Sequence, residues 1–392
     1  MLHFPIYLDN CATTACDARA VDALLPYFTQ YFGNPSSRNH AQGWEAAVAV
    51  EEAQQRVAGL INAAAGEVYF TSGATESCNL ALRGICSMYA GKGDHIITTR
   101  VEHKAVLDTC KALEKQGTGV TYLDVDAEGQ IDLDELSASL RANTILIAVQ
   151  WANNETGALM PIEAIGTIAH ENNILFFCDA TQAVGKIPVD VKKAKLSLMA
   201  FSSHKLYGPK GVGALYISRK DPRVKITPQI TGGGQQKNIR SGTLNVPGIV
   251  GFGKACALSG EEMDADWHRL SALRNKLEQA LLSLPETFVN GHPTQRLPHV
   301  TNLSFGYLNS NEMLSVLNKD IAVSSGSACT SGSLDPSYVL KAMRQPDDRA
   351  KAAIRFSLGR FTTEEEIDYT IAFVCRAIAE LRKNSPAWQL RH

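Results

Sequence analysis

The stretch Ile145-Leu146-Ile147-Ala148-Val149 is apolar at every position, and Ile174-Leu175-Phe176-Phe177-Cys178 repeats that pattern after a helix-length interval. A strand that alternates apolar and polar residues buries one face, whereas a continuously apolar strand buries both. Helices must therefore cover both faces of the sheet that contains these two strands. The two stretches predict a mostly parallel central sheet of the α/β class.

The same rhythm extends on both sides of these two stretches. Short apolar runs alternate with amphipathic stretches of helix length, as in strands joined by helical crossovers. We predict strands at residues 68–71, 95–99, 120–123, 144–151, 174–178, 196–201 and 213–217.

The pattern changes after Gly251-Phe252-Gly253, where a long helical stretch leads into segments that alternate with period two. The segments 302–305 and 354–358 predict half-buried antiparallel strands. The run Thr362-Thr363-Glu364-Glu365-Glu366 contains two overlapping capping boxes and predicts the start of a C-terminal helix. We therefore expect a large domain over residues 15–260 and a smaller α+β domain formed by residues 1–14 and 261–392.

Composition excludes several classes of partner. The chain of 392 residues has a net charge of −2 and no basic run longer than a pair, which argues against nucleic acid and anionic membranes. Its nine cysteines include no CxxC pair and no Cys/His cluster at metal-ligand spacing, which is typical of reduced thiols and indicates no metal site. The N-terminus does not resemble a signal peptide, and no run of eighteen apolar residues occurs. We expect a cytoplasmic protein with a small-molecule substrate.

Lys205 and Asp179 each follow an apolar strand, where parallel sheets bind their ligands. Taken alone, Asp179 could equally be a helix cap and Lys205 a solvated loop residue. Together they supply what pyridoxal phosphate requires: an amine to bond its aldehyde and a carboxylate to keep its ring nitrogen protonated. A charged hydrogen bond of that kind contributes roughly 1.5 to 3 kcal/mol.

The run Thr71-Ser72-Gly73-Ala74-Thr75-Glu76 passes from a strand into a helix and is a candidate phosphate site. Free backbone amides, a hydroxyl and the helix dipole converge on an anion at such a place, although an ordinary helix cap is the alternative. Ser202, His204 and Thr243 could add further phosphate donors.

Other polar residues follow predicted strands or flank the predicted cleft. His103 could stack on a planar cofactor, and an amide of Asn153-Asn154-Glu155-Thr156-Gly157 could bond a phenolic oxygen, although a structural histidine and an Asn-rich turn are the alternatives. Arg355 is suited to a carboxylate substrate, because a guanidinium binds carboxylates with two parallel hydrogen bonds. Asn34 lies in a Gly-Asn-Pro-Ser-Ser loop that composition alone makes only a turn.

Cys329 lies in Ser324-Ser325-Gly326-Ser327-Ala328-Cys329-Thr330-Ser331-Gly332, a run of small and mostly hydroxylated residues. Such a loop has too little apolar surface to bury itself, so its thiol would be accessible to a reactant rather than packed as a structural cysteine. A reactive thiol and a strand-end lysine together suggest covalent chemistry in two stages.

A collinear series of motifs over nearly the whole chain resembles the cysteine desulfurases, and the long serine-rich cysteine loop is similar to their housekeeping and nitrogen-fixation branch. The motifs are Tyr7-Leu8-Asp9 with Ala12-Thr13-Thr14, Gly33-Asn34-Pro35-Ser36-Ser37, Thr71-Ser72-Gly73-Ala74-Thr75-Glu76, Glu102-His103, Asn153-Asn154-Glu155, Asp179-Ala180-Thr181-Gln182, Ser202-Ser203-His204-Lys205, Arg240-Ser241-Gly242-Thr243, Ser324 to Cys329 and Arg355-Phe356-Ser357-Leu358-Gly359-Arg360.

The resemblance implies a fold-type I pyridoxal-phosphate-dependent homodimer with its active site at the subunit interface. It assigns Lys205 as the lysine bonded to the cofactor, His103 as the ring-stacking acid and base, and Asp179 as the partner of the ring nitrogen. It gives the remaining roles as follows: Asn154 and Gln182 contact the phenolic oxygen; Ala74, Thr75, Ser202, His204 and, from the other subunit, Thr243 hold the phosphate; Asn34 and Arg355 bind the substrate carboxylate; and Cys329 receives the sulfur.

The expected reaction converts L-cysteine to L-alanine with transfer of sulfur as a persulfide on Cys329. A sulfur-acceptor or iron-sulfur scaffold protein is the expected partner, and Cys329 would touch an iron-sulfur cluster only transiently, on that partner. Two alternatives remain at this point: a selenocysteine lyase or aminotransferase on the same scaffold, and a non-catalytic sulfur-relay protein.

Overall fold

A computed structural model describes residues 2–325 and 336–391 of the chain. Its strands are β1 Ile6–Tyr7, β2 Val68–Thr71, β3 His95–Thr99, β4 Gly119–Leu123, β5 Thr144–Ala148, β6 Leu175–Asp179, β7 Leu198–Ser202, β8 Gly213–Ile217, β9 Thr287–Val289, β10 Val300–Phe305, β11 Ile321–Ala322 and β12 Ala353–Ser357.

The helices alternate with these strands over most of the chain. They are α1 Ala18–Leu24, α2 Pro26–Thr29, α3 Ala41–Leu60, α4 Ala74–Tyr89, α5 Lys104–Glu114, α6 Leu133–Ala138, α7 Ile162–Glu171, α8 Val246–Leu282, α9 Ser310–Leu317, α10 Tyr338–Ala342, α11 Asp347–Lys351, α12 Glu364–Lys383 and α13 Pro386–Gln389.

The central sheet has seven strands in the order β2-β8-β7-β6-β5-β3-β4. Only β8 runs antiparallel to its neighbours, and the other adjacent pairs are parallel. Side chains of α4 and α5 pack on one face of the sheet, and side chains of α3, α7 and α8 pack on the other. The predicted mostly parallel α/β sheet with helices on both faces is confirmed.

The predicted strand at 144–151 is too long, because β5 ends at Ala148. The backbone N–H of Val149 still donates to Phe177, but that of Gln150 donates to Oε1 of Glu102 instead of a neighbouring strand. A buried carboxyl group thus takes the place of a neighbouring strand at Gln150, since every buried N–H requires an acceptor, whereas the N–H of Trp151 still donates to the Asp179 oxygen at 2.9 Å.

A second, antiparallel sheet has the order β12-β10-β9 and packs with α8, α9 and α12. Strand β1 pairs in parallel with β11, and the buried side chains of Ile6 and Leu8 join the same apolar cluster. The first residues of the chain therefore pack with its last third.

Strands β10 and β12 are antiparallel as predicted, but the expectation that they are half-buried is wrong. Every residue of both strands is buried. The polar members of the alternating pattern face protein rather than water: Asn302 donates to the backbone oxygen of Glu155 at 3.1 Å. Buried polar side chains with partners give the same period-two pattern as a solvated face.

The helices α8 and α12 also bear on the predictions. Helix α8 has 37 residues and passes without interruption through position 260, where we expect the domain boundary. Helix α12 begins with the second of the two predicted capping boxes, in which Thr363 and Glu366 exchange hydrogen bonds. Within the described residues, no helix is both long and apolar enough to cross a bilayer.

Candidate active site

A cavity of about 610 Å³ lies at the carboxyl ends of β6 and β7. Parallel strands direct the groups that follow them to one edge of the sheet, which is where such folds bind ligands. Most of the predicted site residues line this cavity: Ala74, Thr75, His103, Asn154, Asp179, Gln182, Ser202, His204, Lys205 and Arg355.

Lys205 ends a short 3₁₀ turn directly after β7. Its Nζ atom donates to the backbone oxygens of Cys11, at 2.5 Å, and Ala12, at 2.6 Å. The amine is thus held at the cavity wall by carbonyl groups of the N-terminal segment. The alternative of a solvated loop lysine is wrong.

Asp179 is the last residue of β6 and is 6% exposed. Its Oδ1 atom accepts hydrogen bonds from the backbone N–H of Thr181, at 3.0 Å, and from the Thr181 hydroxyl. The residues that follow form turns rather than a helix, so the carboxylate is not a helix cap. Its Oδ2 atom has a long contact with Cys78 Sγ at 3.9 Å, which leaves that oxygen able to accept a strong donor.

Helix α4 begins at Ala74, on the cavity wall, with Gly73 as its N-cap. Gly73 has a φ of 156°, a conformation that side chains disfavour. A Cβ atom on Gly213 would lie 2.7 Å from Gly73 Cα, so the turn into the helix also requires a glycine on the neighbouring strand. The first amides of this 16-residue helix have no intrahelical acceptors and form an anion site.

Ser202 and His204 lie beside the same helix start. The Oγ atom of Ser202 is 3.6 Å from the place that a Gly73 Cβ atom would occupy. The Nδ1 atom of His204 lies 3.1 Å from Thr13 Oγ1. Burial, with Lys205 and Lys210 nearby, lowers the pKa of His204 to about 4, so the imidazole is neutral at pH 7.

His103 is the N-cap of α5, and its Nδ1 atom accepts from the backbone N–H of Ala105 at 3.1 Å. Because Nδ1 is an acceptor, the proton of the neutral ring is on Nε2. The predicted position at a helix start beyond a strand is confirmed, and the ring lines the cavity.

Two amide side chains face the cavity with different partners. The Oδ1 atom of Asn154 is buried and has no hydrogen-bond partner among residues 2–325 and 336–391. Gln182 instead donates from Nε2 to the backbone oxygen of Cys11 at 3.0 Å. A buried amide oxygen without a partner is costly, which indicates that Asn154 bonds a bound group.

Arg355 lies on β12 and is 3% exposed. Its Nη1 atom donates to the backbone oxygen of Asn154 at 2.8 Å, and its Nη2 atom donates to Asp9 Oδ1 at 2.5 Å. Burial lowers the pKa of Arg355, but nearby groups, among them the Asp9 carboxylate that it bonds, act in the opposite direction and the net pKa is raised. The guanidinium is therefore a fixed cation in the cavity wall, and its Nε–H has no acceptor among the described residues.

Two predicted residues do not line this cavity, and a third lies outside the described part of the chain. Asn34 is exposed, and its Oδ1 atom accepts from the backbone N–H of Ser36 at 2.9 Å. Thr243 is exposed, three residues after Arg240, whose Nε atom lies 2.8 Å from Glu76 Oε1. This ion pair ties the segment of Thr243 to the first turn of α4. Cys329 lies outside the described residues.

The cavity is also lined by residues for which no role was predicted, chiefly Cys11, Ala12, Thr13, Gln150 and Lys210. The carbonyls of Cys11 and Ala12 hold Lys205, and a backbone atom leaves no side-chain signal. The only available signal was the motif Ala12-Thr13-Thr14, which the resemblance includes without assigning a function to it.

These residues fit pyridoxal phosphate. The cavity offers a helix start for a phosphate, an amine, a carboxylate with one little-used oxygen, and a buried amide oxygen without a partner. The cofactor carries a phosphate, an aldehyde, a ring nitrogen and a phenolic oxygen, and each finds a complementary group.

Comparison with known proteins gives the same assignment. A model of the class V aminotransferases matches residues 6–370. The cysteine desulfurase IscS of Dechloromonas aromatica (strain RCB) is 50% identical over 390 residues, which are 99% of this chain and 96% of that protein. The cysteine desulfurase of Rattus norvegicus is 50% identical over 387 residues, which are 98% of this chain and 84% of the rat protein. The chain belongs to the cysteine desulfurase family.

Solved structures of similar proteins agree with this membership. A NifS-like protein superposes with a TM-score of 0.88 at 36% identity, covering 96% of this chain and 99% of its own. A structure described as SspA in complex with cysteine gives a TM-score of 0.80 at 33% identity, covering 91% of this chain and 100% of its own. The protein is thus a fold-type I, pyridoxal-phosphate-dependent enzyme with cysteine desulfurase function.

Proposed function

We propose that this cysteine desulfurase converts L-cysteine to L-alanine and retains the sulfur as a persulfide on Cys329. The observation that carries the proposal is that one cavity wall brings together Lys205, Asp179 and Ser324, the last of which is five positions before Cys329 in the sequence. Bound pyridoxal phosphate would supply an electron sink for the substrate's Cα.

The chain's own residues would then divide the work. Lys205 would carry the cofactor and move the Cα proton, His103 would stack on the ring and manage protons, and Asp179 would hold the ring nitrogen protonated. The phosphate would be bound by Ala74, Thr75, Ser202, His204 and the partner's Thr243. Asn154 and Gln182 would bind the phenolic oxygen, and Asn34 and Arg355 would bind the substrate carboxylate.

In the sulfur step, the Cys329 thiolate attacks the sulfur of L-cysteine. The new S–S bond forms as the substrate's C–S bond breaks, and the electron pair of that bond remains with carbon. The carbon then takes a proton and becomes the methyl group of L-alanine, while Cys329 carries the persulfide. An aminotransferase would not need this thiol, and a sulfur carrier without catalysis would not need the cavity.

A homodimer with a shared active site is part of this proposal. Thr243 is exposed in its own chain, yet its segment is fixed to the start of α4 through the ion pair of Arg240 with Glu76. A donor that reaches the phosphate of a second subunit would have to be exposed in this way. We also propose the division into residues 15–260 and residues 1–14 with 261–392, which the separate apolar cluster containing Ile6 and Leu8 supports.

The persulfide would be passed on to a sulfur-acceptor or iron-sulfur scaffold protein in the cytoplasm. Support comes from relatives named IscS and from the eight described cysteines, none of which is in a disulfide. The identity of the partner that binds would determine whether the sulfur enters an iron-sulfur cluster or another thio-cofactor.

The test is to replace Cys329 with serine, which keeps size and polarity but is a far poorer nucleophile toward sulfur. The variant should still change the cofactor's absorbance on addition of L-cysteine, yet form almost no alanine. Mass spectrometry of the parent should find one added sulfur on the Cys329 peptide, and Cys375→Ser should behave as the parent. Sulfur found only on Cys11, Cys178 or another thiol would rule out Cys329 as the acceptor.

A further inference from the structure

The described residues that follow the Cys329 segment are tied to the active-site wall. The Ser337 hydroxyl donates to Glu155 Oε2 at 2.5 Å, and the Tyr338 hydroxyl donates to the backbone oxygen of Glu102 at 2.7 Å. Glu155 directly follows Asn154, and Glu102 directly precedes His103. Ser337 and Tyr338 therefore bond the two turns that carry these cavity residues.

Ser324, which precedes Cys329 in the sequence, is bonded to the same active-site wall. Ser324 lines the cavity and forms an antiparallel bridge with Arg355, whose backbone N–H donates to the Ser324 oxygen at 2.7 Å. Ser324, before Cys329, is thus held by backbone hydrogen bonds. After Cys329, the chain is held by the hydroxyl groups of Ser337 and Tyr338, of which the first bonds a carboxyl group. Only the second attachment can change with protonation.

Glu155 is 2% exposed, so solvent is a poor substitute for the Ser337 hydroxyl at its carboxyl group. Burial raises the pKa of Glu155 to about 7, while the Ser337 hydrogen bond and the charges of Arg355 and Lys104 act in the opposite direction. An ionised carboxylate accepts a stronger hydrogen bond than a neutral carboxyl group. The attachment therefore strengthens as the pH rises through 7.

We propose that Glu155 is a positioning residue, which through Ser337 fixes the chain after Cys329 to the active-site wall and so brings the thiol to the substrate sulfur. This inference rests on the proposed role of Cys329. The Glu155 carboxyl group accepts its hydrogen bond from Ser337, while Arg355 senses only its charge. Ser337→Ala removes the hydrogen bond and leaves that charge in place, so it separates the two effects.

The Ser337 hydroxyl has a second function that the test must separate from the first. Besides donating to Glu155, it accepts from the backbone N–H of Leu340 at 3.2 Å and caps α10. Threonine can make both hydrogen bonds, whereas alanine can make neither. Ser337→Thr is therefore the rescuing variant for Ser337→Ala.

The experiment is a single turnover of the holoenzyme with L-cysteine, followed by two readouts. One is the rate of the cofactor's absorbance change on substrate addition, and the other is the rate at which sulfur appears on the Cys329 peptide in quenched samples. Glu155→Ala and Ser337→Ala should slow the second about tenfold, the effect of losing one charge-assisted hydrogen bond, and leave the first unchanged. Ser337→Thr and the exposed control Glu171→Ala should match the parent.

The pH dependence of the sulfur-transfer rate is a further readout, which would not change if Glu155 only supported the fold. In the parent, the ratio of sulfur-transfer rate to absorbance rate should rise between pH 6 and pH 8 as Glu155 ionises. Glu155→Gln keeps the shape of the side chain and an acceptor oxygen but cannot ionise, so the rise in this ratio that is due to Glu155 should disappear. This variant also remains informative if Glu155→Ala does not fold.

Three results would overturn the inference. Parent-like sulfur transfer in Glu155→Ala and Ser337→Ala would show that the attachment is not needed. Equal loss of both rates would show that Glu155 only supports the fold. Sulfur absent from Cys329 in the parent enzyme would overturn the proposed role of Cys329 itself, and this is seen without any Glu155 variant.

Discussion

The amine of Lys205 and the backbone oxygen of Ala12 lie 2.6 Å apart, although the two residues are 193 positions apart in the sequence. The N-terminal segment thus supplies carbonyl groups that orient the lysine. A substitution at Lys205 therefore removes the amine and leaves the two backbone oxygens that accept its hydrogen bonds in place.

Lys205→Ala should abolish alanine formation, because a methyl group can neither bond the cofactor's aldehyde nor move the Cα proton. Cofactor should still bind through the phosphate site at α4, with an altered absorbance spectrum. Alanine is measured after adding L-cysteine to the reconstituted protein, with the exposed Lys193→Ala as control. Alanine formed at the parent rate would contradict the assignment.

Asp179→Ala should slow alanine formation by roughly 10- to 150-fold, which corresponds to losing one hydrogen bond to a charged group of about 1.5 to 3 kcal/mol. The measurement is kcat with L-cysteine at saturating cofactor. Thr181→Val is the matched control, because it removes a hydrogen bond to Asp179 but keeps the carboxylate. An unchanged rate for Asp179→Ala would mean that the carboxylate only stabilises its turn.

Thr243 and Lys205 should complement each other across subunits if the site is shared. A Thr243→Ala subunit paired with a Lys205→Ala subunit forms one site with both defects and one with neither, so about half of the parent activity per dimer should return. The measurement uses verified heterodimers carrying different affinity tags. Absence of any recovered activity would argue against a site built from two subunits.

Glu102 should make the protein less stable as the pH rises. It is fully buried, and burial raises its pKa to about 8 despite hydrogen bonds from Gln150 and Thr99. The folded state therefore holds a proton that the unfolded state releases near pH 4.5, so this contribution falls between about pH 4.5 and pH 8. Glu102→Gln should flatten the fall in urea unfolding midpoint between pH 6 and pH 9, whereas Glu171→Gln at an exposed position should not.

The sheet could be predicted because its signal is local. Runs such as Ile145 to Val149 are apolar at every position, and only a strand covered on both faces gives that pattern over so short a length. The end of β5 could not be predicted, because Glu102, 48 positions earlier, captures the N–H of Gln150. The alternation in β10 was equally ambiguous, because a polar residue in a strand can face either water or a buried hydrogen-bond partner. Asn302 faces a buried partner, the backbone oxygen of Glu155.

The site was predicted mostly through side chains at strand ends, such as Asp179 and Lys205, whose chemistry is visible in the sequence. The carbonyls of Cys11 and Ala12 were missed because backbone atoms have no residue identity. The attachment of Ser337 to Glu155 was missed for a different reason: it joins two positions 182 residues apart, and neither residue type signals it.

The pairing of β1 with β11 has a consequence for how the protein is made. Ile6 leaves the ribosome far earlier than its strand partner Ile321, and at ~5 to 20 residues per second the delay is roughly 15 to 60 seconds. During that interval the neighbouring carbonyls of Cys11 and Ala12 belong to a segment without its sheet partner. Ser324 and Arg355, which line the same cavity as Lys205, emerge late as well, so the cavity wall is complete only when synthesis is nearly finished.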